Sequence, residues 1–255
     1  MIDTHSHIYL EEFDSDREEM LLRTKNAGVE KIYLPNIDSN SIERMKALHA
    51  QHPDICPMMM GLHPGSVKEN FKEELAIIEK ELETPSQYCA IGEIGLDTYW
   101  DKTFIEQQKI VFTHQIELAL ALKLPIVIHV RNAFNETFEV LKQFTGNLPK
   151  GIFHCYSGNE EIAKKVILMG FKLGIGGVVT FNNSGLQKVV QACKTKDLVL
   201  ETDAPFLAPS PYRGKRNEPA YLPFIAKKIA ELQNISEKEV WGITTDAAEE
   251  IFGTQ

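Results

Sequence analysis

Eight short, strongly apolar runs recur along the chain, each followed by a stretch with helical spacing, and this rhythm limits the folds open to it. The runs are residues 1–4, 31–35, 57–62, 88–94, 125–130, 151–154, 171–174 and 198–202. Several are nearly continuous, as in Pro125-Ile-Val-Ile-His-Val130, a composition that suits parallel strands covered on both faces. The clearest helical stretch spans about 102–122, with Asp101 as N-cap and Ile105, Phe112, Ile116 and Ala119 on the face turned to the barrel. Further helix is expected after Glu218, starting at Ser236 or Thr245. Alternating strands and helices give an α/β fold with a parallel sheet, and eight such units allow closure into a single (β/α)8 TIM-type barrel. No linker or low-complexity tract divides residues 1–255, so one barrel domain is expected.

Polar residues cluster at the ends of these runs. His5 and His7 follow the first run and, two apart on extended chain, face the same way. Glu93 lies near the end of the fourth run, His129 near the end of the fifth, His154 at the end of the sixth, and Asp203 just past the eighth. A barrel assembles its active site at that C-terminal rim. Taken singly, each residue has an ordinary alternative: His129 as a core histidine, Glu93 paired with Arg131, Asp203 as a helix cap. One geometry explains all six. Neutral imidazoles and carboxylates are good donors to divalent ions, and six of them can hold two ions with Glu93 as the bridging carboxylate. Glu93 and Asp203 are therefore the candidate catalytic groups.

Around this set, His63 in Gly61-Leu-His-Pro64 ends the third run and is read either as a substrate contact or as the closure of a turn. Glu201 shares a face with Asp203 and is a candidate supporting residue. Arg213, Lys215 and Arg216, beyond the eighth run, put cations on the same rim and are candidate phosphate contacts. The net charge of −9 argues against a broad nucleic-acid-binding surface but leaves room for one phosphate held locally. The four cysteines (Cys56, Cys89, Cys155, Cys193) form no CxxC pair and read mostly as small core residues. No apolar run has the length of a membrane span, and the first residues lack the features of a signal peptide. A cytoplasmic protein is expected.

The motifs Ile2-Asp-Thr-His-Ser-His7, Gly61-Leu-His-Pro64, Ala90-Ile-Gly-Glu-Ile-Gly-Leu-Asp97, Ile128-His-Val-Arg131, Phe153-His-Cys-Tyr-Ser-Gly158, Leu200-Glu-Thr-Asp-Ala-Pro205 and Arg213-Gly-Lys-Arg-Asn-Glu-Pro219 follow one another along nearly the whole chain. In this order they closely resemble the TatD-type deoxyribonuclease family of the amidohydrolase superfamily. The resemblance implies that His5, His7, Glu93 and Asp203 hold one divalent ion and Glu93, His129 and His154 a second, the metals being Mg, Mn or Zn. It implies exonucleolytic hydrolysis of DNA phosphodiester bonds. Single strands or DNA ends are the expected substrate, and Asp203 is expected to act as general base to a metal-activated water. Many relatives in the superfamily carry a modified lysine where Glu93 stands. Gly65, Thr98, Asn132 and Asn135 depart from the family pattern and bear on cleavage preference, not on the ligands. Two rivals share parts of this reading. One is an ester or amide hydrolase on the same barrel, such as a deacylase of D-aminoacyl-tRNA. The other is a binding module with a structural metal.

Overall fold

The computed structural model describes residues 1–99 and 101–253; the last two residues of the domain expected over 1–255 lie outside them. The strands are β1 (Ile2–Asp3), β2 (Lys31–Ile32), β3 (Leu34–Pro35), β4 (Met58–Met60), β5 (Tyr88–Asp97), β6 (Ile126–Arg131), β7 (Gly151–Phe153), β8 (Lys172–Ile175) and β9 (Leu198–Leu200). All pair in parallel, β1 with β2 and then β3 to β9 in chain order.

The run expected at 31–35 is thus divided at Tyr33, and the division marks a change of partners. Tyr33 donates its N–H to the Asp3 carbonyl (2.9 Å) and accepts from the Ser6 N–H (3.0 Å), while Ile32 and Leu34 donate the other way, to Ile55 and Pro57. The two short strands together occupy one barrel position, so the eight expected positions are all filled. Closure comes from the Thr4 N–H on the Leu200 carbonyl (3.0 Å) and the Asp203 N–H on the His5 carbonyl (2.9 Å). The Asp3 carboxylate completes the seam, accepting from the Thr202 N–H (2.9 Å) and hydroxyl (2.5 Å). The parallel strands and surrounding helices form a TIM-type α/β barrel.

The helices are α1 (Arg17–Asn26), α2 (Ile42–Gln51), α3 (Phe71–Glu81), α4 (Ile105–Leu122), α5 (Phe134–Lys142), α6 (Glu160–Leu168), α7 (Leu186–Ala192), α8 (Leu222–Gln233) and α9 (Glu237–Phe252). Helix α4 starts later than the sequence suggests. Asp101 Oδ1 accepts from the Thr103 N–H (2.8 Å), closing a turn ahead of the helix instead of capping it. Phe112, Ile116 and Ala119 are fully buried as expected, whereas Ile105 is only partly so. Ser236 does start α9, through a capping box with Glu239; Thr245 lies inside that helix. None of the described helices is long and apolar enough to cross a membrane.

One buried cluster joins the strands to the helices around them. A smaller one links Ile2, Tyr33, Met59, Val127, Ile152 and Val199 to Ala248, Ile251 and Phe252 of α9. Strand side chains alternate, so Val127 shares its face with His129, Ile152 with His154, and Val199 with Glu201 and Asp203. The inward-facing set is therefore apolar low in the barrel, where α9 covers it, and turns to imidazoles and carboxylates at the other end.

Candidate metal centre

Glu93 owes its aim to an irregularity in β5. Ile91 pairs with Ile126 and Ile94 with Ile128, so three steps along β5 match two along β6, and the extra residue forms a bulge that redirects the chain. Close strand approach there requires glycine. A Cβ on Gly95, whose φ is +140°, would lie 2.0 Å from the His129 carbonyl oxygen.

The Glu93 carboxylate reaches both halves of a histidine ring. Its Oε2 lies 3.1 Å from His5 Nε2 and 3.7 Å from His7 Nε2. Its Oε1 lies 2.7 Å from His129 Nδ1, 3.4 Å from His63 Nε2 and 3.5 Å from His154 Nε2. Burial opposes ionisation of Glu93, but the imidazoles around it, His63 first, outweigh burial and hold the carboxyl well below its ordinary range. Asp203 Oδ1 faces His7, His154 and His5 at 3.6, 3.8 and 3.9 Å. Its backbone is left-handed (φ +57°) and its side chain keeps 14 % exposure, the most open of the two carboxylates. Burial lifts Asp203 to about 7.

Three further side chains orient the rings. Tyr9 gives its hydroxyl proton to the Pro35 carbonyl (2.6 Å), so its oxygen accepts from His7 Nδ1 (3.0 Å) and leaves the His7 Nε2 lone pair facing inward. Asp97 Oδ2 takes His129 Nε2 (3.0 Å) and turns Nδ1 toward Glu93. Glu201 Oε1 accepts from the Cys155 N–H (2.6 Å) and lies 3.1 Å from His154 Nδ1. Glu201 thus stands where its shared face with Asp203 suggested. Tyr9 and Asp97 were not singled out in the sequence. The two-residue rule applied from His7 reaches Tyr9, and Asp97 ends the Gly95-Leu-Asp97 segment at the strand terminus.

Burial, and for His5 the neighbouring His154, depress the first-half imidazoles, His5 to about 4 and His7 well below its usual value; His154 is also lowered by burial. His129 moves the other way, to about 9, because the Asp97 and Glu93 contacts overcome its burial. The donor set fits divalent cations. His5 and His7 bring Nε2 atoms within 3.2 Å of each other. Glu93 Oε2 lies within 3.7 Å of both, so three atoms able to bind a cation converge on one point. Among the described residues, groups of donors within 4.8 Å of one another comprise His5, His7 and Glu93; His5, His154 and Asp203; His63, Glu93 and His129; and His154, Cys155 and Glu201.

His63 closes the turn, as one reading of its sequence position expected. Its Nδ1 accepts from the Gly65 N–H (2.9 Å), closing the turn, while Nε2 reaches Glu93. The basic segment divides. Arg213 and Lys215 are exposed, the Arg213 guanidinium lying 4.4 Å above the Phe181 ring. Arg216 instead forms a forked pair with Asp16 (2.6 and 2.8 Å), so its guanidinium is already engaged within the protein. Cys56 and Cys89 are buried, and burial raises the Cys155 thiol well above its usual value, in keeping with packing roles.

Known proteins resemble this chain in sequence and fold. The family model described as TatD related DNase matches residues 2–253. The chain is 40 % identical to the uncharacterized metal-dependent hydrolase YabD of Bacillus subtilis over 99 % of its own length and 98 % of that protein. It is 30 % identical to the 3′-5′ ssDNA/RNA exonuclease TatD of Pectobacterium parmentieri, covering 99 % of each. The crystal structure of the TatD homologue YjjV from Escherichia coli superposes with a TM-score of 0.93 at 29 % identity, over 100 % of this chain and 98 % of that one. A metal-dependent hydrolase fold, a rim of convergent donors and a match over nearly every residue lead to one assignment: this chain belongs to the TatD-related DNase family.

Proposed function

We propose that the chain is a two-metal phosphodiesterase that removes nucleotides from a single-stranded DNA end. The observation that carries this reading is Glu93, whose two oxygens face different sets of imidazoles. His5, His7, Glu93 and Asp203 would hold one divalent ion, and Glu93, His129 and His154 the other, with His63 beside the second. Two ions so held supply a polarised phosphoryl oxygen and a water that loses its proton near neutral pH. The histidine-rich donor set favours Zn or Mn by affinity, while Mg serves where it is abundant.

The protein's own groups do the rest. Asp203, the more exposed of the two carboxylates, would accept the proton at Oδ1. Glu93 stays ionised and holds the two halves together. Arg213 and Lys215 position the flanking phosphates; Arg216, paired with Asp16, holds their loop in place. The name of the Pectobacterium relative favours the 3′ end as the point of attack.

Hydrolysis of 3′-labelled and 5′-labelled single-stranded DNA with Mg or Mn tests this, comparing wild type with Glu93→Ala. Stepwise shortening that vanishes in the variant supports the proposal and gives the polarity. A metal-loaded wild type that leaves DNA intact refutes it and directs attention to D-aminoacyl-tRNA and simple esters.

A further inference from the structure

The bulge in β5 that aims Glu93 also interrupts the sheet beside it. The ladder between β4 and β5 runs as far as Met60 with Ile91, where the bulge begins. Beyond that point the facing main-chain groups of the two segments need other partners. His63 sends its N–H to the Ile37 carbonyl (2.8 Å), so the N–H and carbonyl of Leu62 face the β5 side. Thr98 sends its N–H to the Arg131 carbonyl (3.0 Å), so those of Asp97 face the β4 side.

Two glutamines of α4 supply those partners. Gln115 Oε1 accepts from the Leu62 N–H (2.7 Å), and its Nε2 donates to the Leu62 carbonyl (3.2 Å). Gln108 Oε1 accepts from the Asp97 N–H (2.9 Å), and its Nε2 donates to the Asp97 carbonyl (3.0 Å). Each side-chain amide thus stands in for a peptide of a neighbouring strand. Both glutamines are buried and lie about two turns apart on one face of the helix. Apolar residues would fill the same space, but would strand a buried N–H and carbonyl at each segment. The two amide pairs also serve the same half of the metal centre. Leu62 precedes His63, whose Nε2 lies 3.4 Å from Glu93 Oε1. Asp97 Oδ2 takes His129 Nε2 (3.0 Å), and His129 Nδ1 meets that same Glu93 oxygen at 2.7 Å. His5 and His7, which face Oε2, follow β1 instead.

We propose that Gln108 and Gln115 are positioning residues for one half of the metal centre. Through the main chain of Asp97 and Leu62 they fix His129 and His63 against Glu93 Oε1, and so set the affinity for the second ion. The proposal rests on the two-ion reading above. Gln108 carries the larger share, because the Asp97 carboxylate it steadies touches a ligand ring directly, whereas Gln115 acts on His63 beside the ion.

Methionine is close to glutamine in size and makes neither bond, so Gln108→Met and Gln115→Met remove the hydrogen bonds with little change of volume. Ile116→Ala, a cavity at a fully buried position of the same helix, is the control for lost stability. Nitrogen NMR of the histidine rings in the metal-free protein is the first readout. Gln108→Met should move the His129 resonances and Gln115→Met those of His63, while those of His5 and His7 stay in place. Calorimetric titration with Mn is the second. Gln108→Met should weaken one of two ions by about 10–100-fold and leave the other unchanged, and Ile116→Ala should lower the Tm and alter neither readout. Glutamine variants that lose Tm but keep wild-type ring spectra and metal affinities would overturn the proposal, as would an Ile116→Ala variant with the same losses. A methionine variant that does not fold is replaced by Gln108→Glu or Gln115→Glu, which keeps the accepted bond, loses the donated one and is read in the same way. A wild type that takes up one ion retires the two-ion reading, and the ring spectra alone then decide the positioning. Two ions bound, with unaltered spectra in both variants, retain that reading and reject the positioning.

Discussion

Gly174→Ala should disable the metal centre without touching any proposed ligand. Gly174 lies on β8 under Glu201, and an added Cβ would sit 2.3 Å from Glu201 Oε2, 2.7 Å from its Cδ and 3.0 Å from Oε1. Ordinary contact needs the carboxylate to retreat by roughly 1 Å. A flexible side chain at a surface would do so easily, but Glu201 is fully buried, hydrogen-bonded to the Cys155 N–H and within 3.1 Å of His154 Nδ1. The crowding itself should cost about 1–3 kcal/mol of stability. Its functional effect is larger in kind, since His154 loses the carboxylate beside its Nδ1. Loss of such a partner weakens metal binding by about 10–100-fold, or about 1.4–2.7 kcal/mol. Titration of the apoprotein with Zn or Mn by calorimetry, alongside thermal unfolding, separates the two effects. Unchanged metal affinity in a folded variant would show that Glu201 does not orient His154, and the supporting role assigned to it would have to be abandoned.

Other consequences can be checked directly. His129, raised to about 9 in the metal-free site, is protonated at pH 7.5, so metal uptake should release about one proton there and affinity should rise with pH toward 9; a calorimetric enthalpy identical in buffers of different ionisation enthalpy would contradict this. Chelation should leave a folded barrel whose Tm falls by about 8–16 °C, because metal at about 1,000 times its Kd contributes about 4 kcal/mol; collapse of the circular-dichroism signal on chelation would instead favour a structural metal. Ser236→Ala removes the α9 capping box and should cost about 1 kcal/mol by denaturant titration. Gly242→Ala, inside α9 with open space at the Cβ position, should gain about 0.5–1 kcal/mol by the same measurement.

The parts of the fold that were legible in the sequence depend on local periodicity. The near-continuous apolar runs announced parallel strands, and the two-residue alternation put His5 on one face with His7 and Glu201 on one face with Asp203. What escaped depends on pairing between distant segments. The division at Tyr33 arises because its N–H and carbonyl turn to β1 while its neighbours turn to the other side. The start of α4 moved because Asp101 satisfies the Thr103 N–H at short range, a competition between turn and cap that residue type alone does not decide. Arg216 read as a rim cation until Asp16, 200 residues away in the chain, claimed its guanidinium.

The bulge in β5 shows how such non-local detail enters the chemistry. Glycines at 92 and 95 permit the close approach of the strands, but only the register against β6 reveals the extra residue that turns Glu93 to the axis. Once turned, a single carboxylate meets five imidazoles, and its ionisation, the low basicity of His5 and the high basicity of His129 become one coupled property. A change at Glu93 therefore cannot be local. Removing its charge withdraws the counter-charge from His129 and the contact nearest His5 together, so metal affinity at both halves of the ring should fall in the same variant. That joint loss distinguishes a bridging carboxylate from a ligand serving one ion alone.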